Sequence, residues 1–136
     1  MFATLMMALV LEGAEPAAPR PPGIYFGDVA LCSLEKPAPT TTFRSVARLP
    51  KAPSFVLVLS KAAMDFGIND ESLLLIERRL GGVIMISVRI TATVVPGREG
   101  VYEILPAADL WPDDYSFAIS KNSAIVFFGC SFTTLP

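Results

Sequence analysis

The clearest pattern in the chain lies between Val83 and Val95, where every second side chain from Ile84 to Val94 is apolar. Successive residues of a strand point to opposite sides, so an alternation of this kind predicts a strand with two distinct faces. The run predicts one long strand that ends in a turn at Pro96-Gly97. One face carries Ile84, Ile86, Val88, Ile90, Ala92 and Val94, and the other carries Met85, Ser87, Arg89, Thr91 and Thr93.

Shorter runs of the same kind recur along the chain and are separated by prolines and glycines. Alternating runs predict half-buried strands, and the continuously apolar run at 54–59 predicts a buried one. Seven or eight short strands are typical of an antiparallel sandwich or barrel, so we expect a mainly β, jelly-roll-like fold. The other predicted strands cover residues 23–34, 41–49, 54–59, 100–105, 115–120 and 124–133.

One segment, near residues 70–80, has the spacing of a short helix. Asp70 can cap this helix and Gly81-Gly82 can end it. Its apolar residues recur at helical intervals, at Leu73, Ile76 and Leu80. A strand is also compatible with the run of leucines, and we take the helix as the prediction. A single helical turn is also expected within residues 60–67.

The N-terminus differs from the rest of the chain. Residues 1–13 are almost wholly apolar, and a strap with four prolines follows at 14–22. Prolines favour extended polyproline II, which gives the strap a reach of roughly 28 Å. We therefore divide the chain into an arm with its strap, residues 1–23, and a single β-sandwich domain, residues 24–136. We expect the arm to be retained, because its apolar run Phe2–Leu11 lacks the basic start of a signal peptide and is followed at once by Glu12 and Glu15.

The amino-acid composition, rich in apolar and poor in charged residues, favours interaction with other protein subunits. Hydrophobic residues make up 52% of the chain and charged residues 18%, against about 25% charged in an average soluble domain. Excess apolar surface usually belongs to an interface, so we expect a homo-oligomer or a larger lattice. The net charge of −2 disfavours nucleic acid as a partner. No apolar run approaches the roughly 18–20 residues that cross a membrane.

Catalytic chemistry is poorly represented in the chain. There is no histidine, which removes the commonest general base and histidine metal sites. Asp109, Asp113 and Asp114 are close enough in sequence to suggest a calcium site or a carboxylate pair, but a solvated turn is the simpler interpretation. We therefore predict no enzyme, no catalytic residue, no cofactor and no metal site. Trp111, which lies among these aspartates, is predicted to fill an interface.

The chain contains two cysteines, Cys32 and Cys130. We expect both to be small buried hydrophobic side chains. A disulfide between them would close a long loop, and the sequence leaves that pairing open.

Two short segments near the C-terminus resemble a known group of folds. Residues 100–104 (GVYEI) and 127–132 (FFGCSF) resemble the closing strands of tumour-necrosis-factor and C1q-type jelly rolls. The resemblance implies a jelly-roll order of strands. It does not extend to the first half of the chain, because the matching segment there, GIYF at 23–26, lies too near the N-terminus.

These observations together favour a structural assembly protein. The chain resembles small viral capsid-stabilising (cement) and minor capsid proteins in size and style, so we expect a virion location, with the arm binding an edge strand or groove of a neighbour. The alternative is a secreted or surface β-sandwich binding module, such as a jelly-roll ligand or a carbohydrate- or calcium-binding domain. The predicted interface residues are Phe2, Leu5, Met6, Leu9, Leu11, Pro19, Pro21, Pro22 and Trp111.

Overall fold

Strands account for most of the regular structure in the computed structural model, which describes residues 20–43 and 47–136. Within these residues there are ten strands and one α-helix. The strands are β1 (Gly23–Phe26), β2 (Val29–Ser33), β3 (Arg48–Leu49), β4 (Phe55–Val58), β5 (Leu73–Arg79), β6 (Ile84–Val88), β7 (Ile90–Val94), β8 (Val101–Pro106), β9 (Asp114–Lys121) and β10 (Ala124–Thr134), and the helix is α1 (Lys61–Phe66).

The strands form two five-stranded sheets that enclose a common core. The first sheet has the order β2-β1-β4-β8-β7, and the second has the order β3-β10-β9-β5-β6. Neighbouring strands are antiparallel, except that β3 runs parallel to the end of β10. The mainly β antiparallel sandwich predicted from the sequence is confirmed. The strand number is higher than expected because two predicted strands divide and the predicted helix is a strand.

Aromatic side chains from both sheets fill the centre of the core. The Phe55 ring of the first sheet lies 5.1 Å, between centroids, from both Phe117 and Phe132 of the second sheet. Phe132 also stacks on Tyr115 at 5.4 Å. Such pairs add about 0.5–1.5 kcal/mol each beyond the burial of their area, so this cluster is a principal contact between the sheets.

The strand predicted at 83–95 divides at Arg89 and belongs to both sheets. Its first half, β6, pairs with β5 in the second sheet, and its second half, β7, pairs with β8 in the first. The alternation continues across the break, because Val88 and Ile90 both pack against the core. The chain therefore crosses between the sheets along one side of the sandwich, and β6 and β7 are both edge strands.

The helix predicted near residues 70–80 is wrong, because β5 occupies Leu73–Arg79 between β9 and β6. A strand inside a sheet can bury both of its faces. Leu75 faces the core, Ile76 lies on the opposite face, and neither is more than 1% exposed. Apolar residues on both faces of a strand can mimic helical spacing. Asn69, rather than Asp70, organises the turn before β5, since its Oδ1 accepts hydrogen bonds from the backbone N–H groups of Glu71 and Ser72.

The helix α1 lies upstream, where the sequence predicts a single helical turn. Ser60 caps it, because its Oγ accepts a hydrogen bond from Ala63 N at 3.0 Å. Gly67 ends it with a φ of 115°, a conformation that favours glycine.

Two other predicted strands are shorter than expected. The strand at 23–34 is a hairpin of β1 and β2, turned at Gly27 with a φ of 58°. The strand at 41–49 is reduced to β3, and residues 44–46 of that prediction lie outside the described residues. Phe43 instead crosses the outer face of the second sheet and packs against Phe127, with 4.9 Å between ring centroids.

Cys32 of β2 and Cys130 of β10 form a disulfide between the two sheets. The sequence leaves this pairing open, and the fold brings the two residues together. The two residues are 98 positions apart in sequence, so only the fold shows that the first strands and the last one meet. The bond lies on the side of the sandwich opposite to the β6–β7 crossing.

Candidate functional site

Exposed apolar side chains concentrate where β5 turns into β6. Leu80 is 73% exposed, Val83 82%, Ile84 42% and Met85 50%. Exposed apolar residues scattered singly are normal on protein surfaces, but a contiguous group indicates a contact with something else. We call these four side chains, together with the free side of β6, the apolar edge.

The turn at 80–83 is built to present its side chains outward. Gly81 and Gly82 adopt φ values of 68° and 99°, which glycine tolerates without strain. Leu80 also has a positive φ, of 54°. For a residue with a large side chain this conformation costs on the order of 1–3 kcal/mol. The chain therefore keeps a strained, exposed leucine at the tip of this turn.

The strand β6 lacks the features that usually protect an edge. Among the described strands it is hydrogen-bonded to β5 alone, so one row of its backbone N–H and C=O groups faces outward. Its sequence, IMISV, contains no charged residue and no proline. Natural sheets normally use lysine, proline, bulges or covering loops to prevent such edges from pairing. The free side of β6 can therefore accept another strand.

An ion pair between the buried Glu77 and the partly exposed Arg79 lies at the base of the turn. Glu77 is only 3% exposed, and Arg79 Nε lies 2.9 Å from its Oε2. The contact is an ion pair rather than a well-aligned hydrogen bond. The close carboxylate of Glu77 raises the pKa of Arg79 above its usual value, so the guanidinium stays charged. A buried carboxylate needs a partner of this kind, and the pair fixes the end of β5 from which the turn departs.

Tyr115 lies beside this ion pair and is 1% exposed. The register of β5 and β9 places it opposite Glu77. Burial is the main cause that raises the pKa of Tyr115, and the negative charges of Glu77 and Asp113 raise it further. Its hydroxyl donates a hydrogen bond to Trp111 O at 2.9 Å. Tyr115 therefore remains neutral and connects the core to the loop that follows β8.

Trp111, a predicted interface residue, is 70% exposed. Its carbonyl accepts hydrogen bonds from the hydroxyls of Tyr115 and Thr134, which fix the backbone and leave the indole outside. Asp114 starts β9 opposite Arg78 near the end of β5, so Trp111 and the apolar edge lie at the same end of the second sheet.

The aspartates around Trp111 have structural partners. Asp109 forms an ion pair with Lys51 at 3.6 Å. Asp113 Oδ1 accepts a hydrogen bond from the backbone N–H of Asp114, and Asp114 contacts Arg78 at 3.4 Å. Within residues 20–43 and 47–136, no group of three or more acidic, cysteine or histidine side chains is arranged to hold a metal ion.

The predicted interface residues of the arm lie outside the described residues. These are Phe2, Leu5, Met6, Leu9, Leu11 and, in the strap, Pro19. The last part of the strap is described and is tied to the first sheet. Pro21 O accepts a hydrogen bond from the Tyr25 hydroxyl, and Pro22 O accepts one from Leu34 N at 3.0 Å. The Arg20 guanidinium lies 4.8 Å from the centre of the Tyr25 ring.

A shallow open groove runs beside the first half of β10. Its lining residues are Pro39, Thr40, Thr41, Ile125, Val126 and Phe127. Thr40 N donates to Phe127 O at 2.9 Å, so the segment before Phe43 already uses part of this edge. The groove holds no charged or nucleophilic cluster.

No protein-family model, curated protein or solved structure matches this chain. Where the structure is described, no helix combines the length and the apolar character needed to cross a bilayer. Proposals about function therefore depend on the surfaces themselves.

The sequence prediction missed the most exposed of these residues. The pattern places Leu80 in a helix, and it places Val83 and Met85 at the start of a long strand, whereas Leu80 and Val83 lie in the turn and Met85 in β6. The signal that could have located them is Gly81-Gly82 between two apolar runs, since paired glycines are typical of a tight hairpin turn.

Proposed function

We propose that this chain is a non-enzymatic structural assembly protein that binds neighbouring protein subunits. The observation that carries the proposal is the apolar edge, where Leu80, Val83, Ile84 and Met85 are exposed beside an unpaired strand. A monomer gains nothing from such a surface and is exposed to aggregation by it. A subunit that joins others buries it.

The setting that we propose is a virion shell, with the chain as a capsid-stabilising (cement) or minor capsid protein. The size, the high apolar content and the all-β fold support this setting. The Cys32–Cys130 disulfide supports a location outside the reducing cytosol, because such bonds persist in oxidising surroundings. In this proposal the arm, residues 1–13, binds a neighbour across the proline strap and adds to the contact made by the sandwich.

The molar mass of the full chain in solution tests the proposal. We expect light scattering after size exclusion to give a mass above that of the 14.6 kDa monomer. Charged substitutions in the arm, Leu5→Asp with Leu9→Asp, are expected to lower that mass, because aspartate cannot be buried without a partner. The matched control is Thr4→Asp with Ala8→Asp, which adds the same charge but removes little apolar area. A monomer at all concentrations and with all candidate shell proteins would contradict the proposal.

A second candidate is a secreted or surface β-sandwich binding module. The exposed indole of Trp111, on a backbone fixed by two hydrogen bonds, favours it, because rigid exposed aromatic rings suit the flat faces of sugars. Calorimetric titration with a panel of glycans, and with calcium, distinguishes the two functions. Heat that is absent in Trp111→Ala would favour the binding module.

A further inference from the structure

We infer that the apolar edge is the contact between two copies of this chain, with β6 of one copy paired antiparallel to β6 of the other. The pairing would join the two second sheets, each of five strands, into one continuous sheet. This inference rests on the proposed function and names the partner of the apolar edge.

The charge of β6 favours a second copy as its partner. In a symmetric pair the central residue of the strand faces its own copy, so a charge at that position would face a like charge. Residues Ile84–Val88 carry no charge, and self-pairing therefore opposes no like charges. A charged strand of a different protein would find no opposite charge on β6 to pair with.

The alternation of side chains fixes the register of the pair. In a continuous sheet, residues that face each other must point to the same side, so a symmetric antiparallel pair is centred on a residue and not between two. A centre at Ile86 pairs all five residues of the strand. Ile84 then faces the partner's Val88, and Met85 faces the partner's Ser87. This register provides roughly four to six hydrogen bonds between the copies.

The turn at 80–83 supplies the area that a short strand lacks. A five-residue strand alone falls short of the roughly 1,000 Å² expected of a stable interface. In the register centred on Ile86, Val83 lies next to the partner's Arg89, where the partner's β6 ends, and Leu80 lies at the tip of the adjoining turn. Their exposures of 82% and 73% are then explained, because both side chains are covered only in the pair.

The pair closes on itself and does not grow into a fibre. Beyond Val88 the chain leaves the second sheet at Arg89, so the strand that pairs ends there. At the opposite edge of the second sheet, β3 pairs with Thr133 and Thr134 of β10, and Thr40 N donates a hydrogen bond to Phe127 O nearer the start of that strand. A symmetric contact in which β6 of each copy pairs with β6 of the other uses that edge fully and gives a closed dimer.

A matched pair of substitutions tests the inference in the full chain. Val83→Lys places a charge on the apolar edge, whereas Val94→Lys places it on β7, where valine is 60% exposed and outside the proposed contact. We expect Val83→Lys to weaken self-association at least tenfold in sedimentation experiments and Val94→Lys to leave it unchanged. Circular dichroism checks that both variants are folded. Equal self-association of the two variants would overturn the inference.

A spin label at position 87 tests the register. Ser87 is exposed on the outer face of β6, and strand geometry places it about 8 Å from the same residue of the partner. We expect dipolar broadening of the spectrum of labelled Ser87→Cys at concentrations where the chain is paired. Assembly without broadening would overturn the β6 contact and leave the proposed assembly function standing. A chain that is monomeric throughout would overturn both.

Discussion

The two sides of the sandwich are protected in different ways. On the closed side, the Cys32–Cys130 disulfide bonds β2 to β10, and Phe43 packs over Phe127 on the adjoining outer face. On the open side the chain crosses between the sheets at Arg89, and β6 leaves one side of its backbone unpaired among the described strands. The closed side needs no partner to be stable. The open side carries the most exposed apolar residues, so a binding partner is expected there.

The largest effect is expected from breaking the closed side. The double variant Cys32→Ala with Cys130→Ala removes a cross-link over a separation of 98 residues, and chain entropy predicts a loss of about 4.7 kcal/mol in the free energy of unfolding. Denaturant titration measures the loss, and the wild-type chain under reducing conditions is the control. Self-association should persist, because the apolar edge is on the other side. A loss below about 1 kcal/mol would mean that packing alone closes this side.

A smaller effect is expected from uncovering the outer face of the second sheet. Phe43→Ala removes the ring that packs on Phe127 and lies 4.5 Å, centroid to guanidinium carbon, from Arg78. The expected loss is about 1–2 kcal/mol in the free energy of unfolding, since one aromatic pair and one cation–π contact disappear. Thr42→Ala, an exposed change on the same segment, is the control and should be neutral. Equal stabilities for the two variants would show that this cover contributes nothing.

The buried tyrosine predicts how the base of the open side responds to alkali. The pKa of Tyr115 is raised in the folded chain, so its contribution to stability is complete below the ordinary tyrosine pKa of about 10 and is lost as pH rises toward the folded value. We expect the free energy of unfolding to fall as pH increases above about 10. Tyr115→Phe should flatten this fall, at a loss of about 1 kcal/mol at neutral pH for the hydrogen bond to Trp111 O.

Urea titrations at a series of pH values measure this dependence. Tyr102→Phe, a change at a half-buried tyrosine of β8, is the control and should keep the alkaline fall. An unchanged slope in Tyr115→Phe would contradict the assignment of the effect to Tyr115.

The smallest effect is expected at the tip of the open side. Leu80→Gly relieves the positive φ of 54°, and the gain exceeds the extra backbone entropy of glycine by about 0.5–1 kcal/mol. We expect the free energy of unfolding of the diluted, unpaired chain to rise slightly. We expect self-association to weaken, because the leucine side chain is lost from the apolar edge. Val83→Gly is the matched control, because Val83 has an ordinary φ of −72° and should lose stability. A destabilised Leu80→Gly would show that the tip is not strained.

The parts of the fold that depend on local alternation were predictable from the sequence. Strands β4, β8, β9 and β10 lie where the pattern predicts them, and from the predicted apolar face of 83–95 the middle residues Val88, Ile90 and Ala92 pack against the core. The division at Arg89 was not predictable, because the side chains alternate identically whether a strand keeps its neighbour or changes it. The strand β5 resembles a helix in the sequence because it carries apolar residues on both of its faces. Patterns along one strand carry no information about the other strands around it.

The candidate site was predictable only in part. Trp111 is predicted from the sequence to fill an interface; the side chain is 70% exposed, and its place in an interface stays a prediction. The apolar edge was not found, because exposure at Val83 and Met85 depends on which strand ends the sheet. The disulfide could not be predicted either, because its two cysteines are 98 positions apart and no local sequence pattern shows that they meet. The arm residues lie outside the described part of the chain, and their role stays a prediction.

The position of β10 determines the order in which this protein can be built. The first sheet consists of residues between Gly23 and Pro106, so all its strands have been synthesised once residue 106 has left the ribosome. The second sheet places β10 between β3 and β9, and β3 meets it only at Thr133 and Thr134. At roughly 5–20 residues per second, a nascent chain holds a complete set of strands for one sheet and an unfinished second sheet for seconds. During that interval an early pairing of β6 with another nascent chain would compete with the arrival of the last strand.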